Sequence, residues 1–298
     1  MPPVWRPNRQ RQACATPERP PLFQKNLPLG GSLRYHCGMA FDLRNKWVLI
    51  TGASSGFGAA AAKAFGAGGA RLLLGARRVD RLAQVAAEAT QVGAASAHFR
   101  ALDVSQTANV NSFVAWVREQ IADGKLHVLI NNAGGALGLD PVAEGKDEDW
   151  EAMLQTNVLG VLRMTRAALP LLAHHDGASI INIGSYVSRS TYEGGAAYAA
   201  AKAGELQITR TLRLELSGTG IRVSSVDPGL AKTEFSLVRF KGDAARAEKP
   251  YEGTNPLVAE DVAEILHWVA SRPAHVNIDE LLVKPVDQAA MHKVYRRK

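Results

Sequence analysis

The sequence predicts one doubly wound α/β domain, a Rossmann-like parallel sheet of about seven strands with helices on both faces. Three observations carry that expectation. From residue 46 onward, short apolar segments alternate with helix-length stretches. Most of the short segments are apolar throughout, as strands buried on both faces of a parallel sheet must be. The first of them runs straight into a glycine-rich turn followed by an Ala-rich helix, which is how such sheets open.

In chain order, strands are expected at 47–51, 71–75, 98–102, 128–131, 179–183, 222–226 and 280–283, each bounded by Gly, Asn, Asp or Pro. Helices are expected between and after them at 58–67, 80–91, 107–122, 149–173, 198–216 and 259–271. Ser105 is placed to cap the third helix, and Glu260 with Asp261 puts acid at the positive end of the last. Right-handed βαβ crossovers then assemble a single sheet. No repeat or linker interrupts residues 39–298, which read as one catalytic domain.

Residues 1–38 are different in kind. They hold 7 of the 14 prolines, both cysteines (Cys14 and Cys37), and six basic residues against Glu18 alone, a net of +5. Of a chain total of +7, only +2 is left for the domain, so the basic balance does not describe a nucleic-acid surface. The Arg296-Arg297-Lys298 tail has no interleaved aromatics and reads as a solvated end. The leader is expected to be a disordered tail or an overextended start, with Met39 a plausible beginning. It is Arg-rich and acid-poor like a transit peptide, but neither amphipathic nor Ser-rich, and it lacks a secretory h-region.

The domain itself contains no cysteine, which excludes disulfides, thiol catalysis and cysteine-ligated zinc and fits a reducing cytoplasm. No apolar run approaches the ~20 residues that span a bilayer, so no membrane partner is expected. His174-His175 has no ligand partners at a sensible spacing, and no metal is assigned.

The turn after the first strand reads Thr51-Gly52-Ala53-Ser54-Ser55-Gly56-Phe57-Gly58. Gly52 permits a tight exit from the strand, Gly56 removes a Cβ where backbone must approach a pyrophosphate, and Gly58 lets the helix pack on the sheet. The amides at the helix N-terminus then face an anion. A glycine-rich turn alone signifies only tightness; its place between a first strand and a helix points to a dinucleotide. The second strand ends in Arg77-Arg78, with no Asp or Glu where a free ribose 2′-hydroxyl would need one. Two guanidiniums suit a 2′-phosphate, so the expected cofactor is NADP(H), the bland alternative being a solvated Arg pair.

Tyr198 and Lys202 are four apart on a predicted helix and share a face. Ser185 ends the preceding strand, at the edge of the sheet where ligands bind. A phenol near pKa ~10 is a poor proton donor or acceptor at neutrality. A neighbouring ammonium favours its phenolate and makes it a working acid/base, while a serine hydroxyl holds the reacting oxygen. Singly, each residue is unremarkable; their joint place after a dinucleotide turn makes a hydride-transfer site the expectation.

At this point the chain resembles the classical short-chain dehydrogenases/reductases over roughly residues 42–286. The resemblance rests on Thr51–Gly58, Asp103-Val104, Asn131-Asn132-Ala133-Gly134, Asn157, Ser185, Tyr198-xxx-Lys202 and Pro228-Gly229. It implies that Asp103 and Val104 border the adenine and that Asn131, Ala133 and Gly134 lie against the adenosine side. It implies further that Asn157 supports a relay water, that Lys202 also holds the nicotinamide ribose, and that Pro228, Gly229 and Thr233 flank the cofactor. A homotetramer built on the helices at 111–121 and 198–216 is implied as well.

Within the family the resemblance is to the NADP-dependent 3-hydroxy acid dehydrogenases, which act on 3-hydroxypropionate-like acids, serine and allo-threonine or reduce malonic semialdehyde. It lies in Asp227-Pro228-Gly229, Thr233-Glu234-Phe235-Ser236, the 238–243 and 247–249 stretches, and 273–278. A small carboxylate needs a cation, and Arg239 is the candidate, unless it pairs with Glu234 or Asp243 to order the lid. Ser185 and Tyr192 complete the expected substrate contacts. Tyr186, Arg189 and Glu193 depart from the small neutral residues usual there, and narrow the pocket or add a second carboxylate anchor. The rival readings are a 3-oxoacyl-thioester or other ketone reductase, and a non-catalytic NADP(H)-sensing protein.

Overall fold

The computed structural model describes residues 41–121 and 124–297, all within one compact unit, Gly38–Lys298. The expectations for residues 1–38 lie outside the described residues.

Seven strands, β1 (Trp47–Thr51), β2 (Arg71–Ala76), β3 (Ser96–Ala101), β4 (Val128–Asn131), β5 (Ser179–Ile183), β6 (Arg222–Pro228) and β7 (Glu280–Val283), form one sheet. Every pairing is parallel and the order is β3-β2-β1-β4-β5-β6-β7. The doubly wound expectation holds. The apolar runs are continuous because both faces are covered, and successive residues serve opposite cores. Val48, Ile50, Leu72, Leu74, Val128 and Ile130 pack with α1 (Gly56–Ala67) and α2 (Val79–Gln91). Leu49, Leu73, Leu129, Ile180 and Val223 pack on the other face, with α3 (Thr107–Gln120) and the helices that follow. Each fully buried Leu, Ile or Phe contributes about 1.5–3 kcal/mol.

Four details differ from the sequence expectation. Among the described residues β3 is an edge strand with one neighbour, and it is exposed from His98 onward. The stretch expected as one helix over 149–173 is divided into α4 (Asp147–Leu154), a π turn (Gln155–Leu159) and α5 (Gly160–Ala168), then a 3₁₀ turn where Pro170 has no N–H to continue the ladder. Ser105 does not cap α3: its hydroxyl and amide both donate to Asp103 Oδ1, and Gln106 occupies the cap position without a side-chain bond. A short antiparallel pair, β8 (Gln288–Ala290) and β9 (Lys293–Val294), was not foreseen.

The remaining helices are α6 (Ala196–Glu215), two short lid helices α7 (Phe235–Arg239) and α8 (Ala244–Glu248), and α9 (Ala259–Ala270). Asp261 does cap the last, accepting from Val258 N at 2.8 Å. Among the described residues no helix is long and apolar enough to cross a membrane.

At the opposite end of the sheet from the expected site, Arg222 is buried and donates to the carbonyls of Gly177, Val269, Ala270 and Arg272. Burial pushes its guanidinium down to about 10, so it stays charged at neutrality and serves the carbonyl end of α9. Arg222→Met orphans these acceptors and is expected to lower stability in urea unfolding by about 3 kcal/mol. A loss below about 1 kcal/mol would mean that water replaces the guanidinium there.

Candidate active site

The strand order reverses between β1 and β4, because the chain first builds outward to β3 and then returns to the other side of β1. A crevice opens at the carboxyl ends there. Thr51, ending β1, stitches the two strands together: its Oγ1 accepts from Asn132 N at 3.0 Å and Ala133 N at 2.9 Å. Gly52 follows with φ +66°, and a Cβ on it would lie 2.8 Å from Ala133 Cα. At Gly58 a Cβ would lie 2.6 Å from Gly52 O, so the close packing of α1 on the turn demands hydrogen. Ser55 makes no side-chain cap, leaving the first amides of this 12-residue helix free for an anion. Thr233 sits across the turn, its Cβ 3.5 Å from where Gly56 would carry one.

Arg78 reaches back over this turn. Its guanidinium donates to Ser54 Oγ at 3.2 Å and Ser55 Oγ at 2.5 Å, and it pairs with Glu234 at 2.9 Å. Arg81 holds the same carboxylate at 2.6 Å. Two hydroxyls and clustered guanidiniums beside helix amides fit a dinucleotide bearing a 2′-phosphate. Arg77 is exposed at the end of β2. Asp103 and Val104 follow β3; Val104 is buried, and its methyl fills the space beside Gly160.

The catalytic candidates converge. Tyr198 and Lys202 are both buried on one face of α6. Lys202 Nζ donates to Ile183 O at 2.7 Å and to Glu205 Oε2 at 2.6 Å. Burial works against its ammonium, but Glu205, Tyr198 and Asp227 outweigh that and hold Lys202 above the usual lysine value. A Cβ on Gly134 would lie 2.6 Å from Asn157 Oδ1 and 3.6 Å from Lys202 Nζ, which brings those three positions together. Asn157 lies inside the π turn, where its amide donates to Met153 O at 2.8 Å and Gly135 O at 2.9 Å. A π turn widens the helix and frees a carbonyl, a feature common at functional sites. Ser185, buried after β5, accepts from Val187 N at 3.2 Å through Oγ.

A cleft adjoining Tyr198 is lined by Leu137, Asp140, Trp150, Met153 and Arg239. Arg239, from α7, donates to Gly138 O at 2.9 Å and to Tyr192 Oη at 2.7 Å. Its guanidinium lies 5.2 Å from the Tyr192 ring and 5.8 Å from the Tyr198 ring. Burial raises the Tyr192 phenol's pKa against the opposing pull of Arg239, so Tyr192 stays a neutral hydroxyl with a proton to donate. The alternative in which Arg239 pairs with Glu234 or Asp243 is not what forms. Glu234 is taken by Arg78 and Arg81, and Asp243 accepts from Arg246 N at 3.0 Å as the cap of α8.

Some expected residues point elsewhere. The Asn131 amide faces the interior, donating to Thr165 Oγ1 and Asn182 Oδ1. Arg189 is not a spare anchor: it pairs with buried Asp227 at 2.6 Å and with Glu280, which Arg210 also holds. These arginines push Glu280 down to about 2. Tyr186 stacks under Lys284, and Glu193 is exposed. Pro228 ends β6, and Gly229 N bonds Val283 O at 2.7 Å. Asn132, part of the run singled out from sequence, donates its amide to Thr51 O at 2.8 Å. Asp140 in the cleft and Glu205 beside Lys202 were not singled out. The i, i+3 spacing of Lys202 and Glu205 was the available signal, but it reads as a surface pair until the helix is seen to bury that face.

The parallel order, the crevice at β1 and β4, and the Tyr198–Lys202 pair define a dinucleotide-dependent oxidoreductase of the short-chain type. The chain belongs to the short chain dehydrogenase family, whose model matches residues 46–242. It is 44% identical to Sulfoacetaldehyde reductase 2 of Chromohalobacter salexigens over 243 residues, covering 81% of this chain and 95% of that one. It is 42% identical to the NADP-dependent 3-hydroxy acid dehydrogenase YdfG of Salmonella typhi, covering 81% and 96%. Among solved structures, the closed form of serine dehydrogenase complexed with NADP+ superposes with a TM-score of 0.77 at 39% identity, covering 85% of this chain and all of that one.

Proposed function

We propose that this protein is an NADP(H)-dependent oxidoreductase interconverting the hydroxyl and carbonyl of a small 3-hydroxy acid, with Tyr198 as general acid/base. The observation that carries the reading is the cleft in which the Arg239 guanidinium, held by Gly138 and Tyr192, lies over the Tyr198 ring. A cation so close to the phenol suits a substrate whose acid group is a few bonds from its reacting carbon.

The Ser54, Ser55 and Arg78 cluster and the α1 amides would hold the phosphates, and Lys202 the ribose next to the nicotinamide. The bound nicotinamide supplies or takes up the hydride. Tyr198 gives its proton to the substrate oxygen in reduction and removes it in oxidation. Ser185 Oγ donates a hydrogen bond to that oxygen, and the buried Lys202 ammonium puts a fixed positive charge beside the phenol. Asn157 holds Gly135 through both its amide and its carbonyl, keeping the wall beside Gly134 in place. Arg239 and the Tyr192 hydroxyl bind the acid group.

A sulfonate would be recognised by the same donors, and the similarity to a sulfoacetaldehyde reductase makes it the second reading. Initial rates with NADP⁺ and NAD⁺ on 3-hydroxypropionate, L-serine and L-allo-threonine, and with NADPH on sulfoacetaldehyde, separate the two. Turnover of the acids with NADP⁺ supports the first reading; turnover of the aldehyde alone supports the second. Arg239→Ala is expected to raise KM for the favoured acid by more than about tenfold. A smaller rise removes Arg239 from substrate binding.

We infer a homotetramer as well. Leu154, Leu159 and Leu162 expose apolar surface along the α4–α5 span, which a subunit contact would bury. Light scattering giving four times the chain mass is the expected result.

A further inference from the structure

Glu205 is a buried acid for which the proposed chemistry has no assigned use. It lies one turn beyond Lys202 on α6, and its side chain is 2% exposed against 8% for Lys202. Oε2 accepts from Lys202 Nζ at 2.6 Å, while Oε1 is buried without a hydrogen-bond partner among the described residues. A side chain needed only to fill that space would be apolar, because burying a half-satisfied carboxylate is costly. Lys202 has three N–H groups. Ile183 O and Glu205 take two, so one remains for the ligand side of the site.

The surrounding charges single out this contact. On β6, Asp227 is fully buried, but it is matched by Arg189 at 2.6 Å and by Ser225 Oγ at 2.6 Å. Arg189 is in turn shared with Glu280, from β7, and Glu280 with Arg210, from α6. Glu205 thus has Lys202 as its one ionic partner among the described residues, and Tyr198 is the other titratable group beside Lys202 on that face. Burial pushes the Glu205 carboxyl up to about 7 against the pull of Lys202, with Asp227 adding to the rise.

We propose that Glu205 is a positioning residue: it fixes the Lys202 ammonium on the floor of the site and tempers the positive charge that acts on Tyr198. This rests on the reading of Tyr198 and Lys202 given above. The negative charge beside Nζ weakens the ammonium's hold on a phenolate. Removing that charge while keeping the shape should let the phenolate form at lower pH.

Glu205→Gln makes that change. In the full-length protein, the acid limb of kcat against pH for alcohol oxidation is expected to move to lower pH by about one unit. The ultraviolet phenolate titration, taken as a difference against the same protein carrying Tyr198→Phe, should move with it, independently of turnover. Glu205→Asp retains the charge but draws Nζ back. It is expected to leave the limb in place and reduce kcat severalfold, and it serves as the test where Glu205→Gln does not fold. A limb that is unmoved or moves to higher pH in Glu205→Gln overturns the proposal, as does an unaltered kcat in Glu205→Asp. Tyr198→Phe tells the two failures apart. If it retains turnover, the underlying reading falls; if it is inactive while Glu205→Gln behaves as wild type, only the role of Glu205 falls.

Discussion

Tyr198→Phe is expected to lower kcat in both directions by about 10²–10⁴-fold, the range lost when a positioned general acid/base is removed. Loss of one oxygen leaves the ring's packing against Ala136, Met153 and Val187 and its 5.6 Å contact with Phe235. NADP⁺ affinity should therefore stay within a few-fold and the melting temperature within a few degrees. Calorimetric titration with NADP⁺ and stopped-flow rates measure the two sides. A kcat reduced less than about tenfold would assign the proton transfer to another group. A comparable loss in NADP⁺ affinity would mean that the phenol holds the cofactor instead of handling the proton.

The second large effect is expected at Arg78. On the reading that Arg78 pairs with the 2′-phosphate, replacement by Ala removes a charge-assisted contact worth about 1.5–3 kcal/mol, or roughly a tenfold to hundredfold rise in KM for NADP⁺. NAD⁺ has no phosphate there, and its KM should change little. The ratio of kcat/KM for the two cofactors is thus the measurement, since a general disturbance of the turn would weaken both equally. Glu234 sharpens the test. Its carboxylate pairs with Arg78 and Arg81, so a bound phosphate competes with it or draws the guanidiniums away. Glu234→Gln is expected to tighten NADP⁺ binding, the reverse of the Arg78→Ala result.

The two predictions draw on different levels of structure. The Tyr198–Lys202 pair is legible in the chain because four residues of helix put two side chains on one face whatever surrounds them. The glycine turn is legible for a similar reason: a left-handed φ at Gly52 and the close approach at Gly58 are constraints that few residues satisfy. The strands were readable because burial on both faces leaves no polar side to confuse the pattern, and β3 strayed because an edge strand lacks that burial.

The chain by itself therefore determined the layered parallel sheet, its opening turn and the local spacing of Tyr198 and Lys202. These follow from backbone geometry and hydrophobic periodicity, which act over a few residues. Tertiary structure decided how the charges are shared. Arg189 meets partners 38 and 91 positions away, which takes it out of the pocket, and Arg239 meets Gly138 across 101 positions, which leaves it in. The inward turn of Glu205 toward Lys202 depends on which face of α6 the sheet covers. A side chain's charge is written in the sequence, but its energy depends on the distance to other charges and on exclusion of water, and only the folded chain sets those.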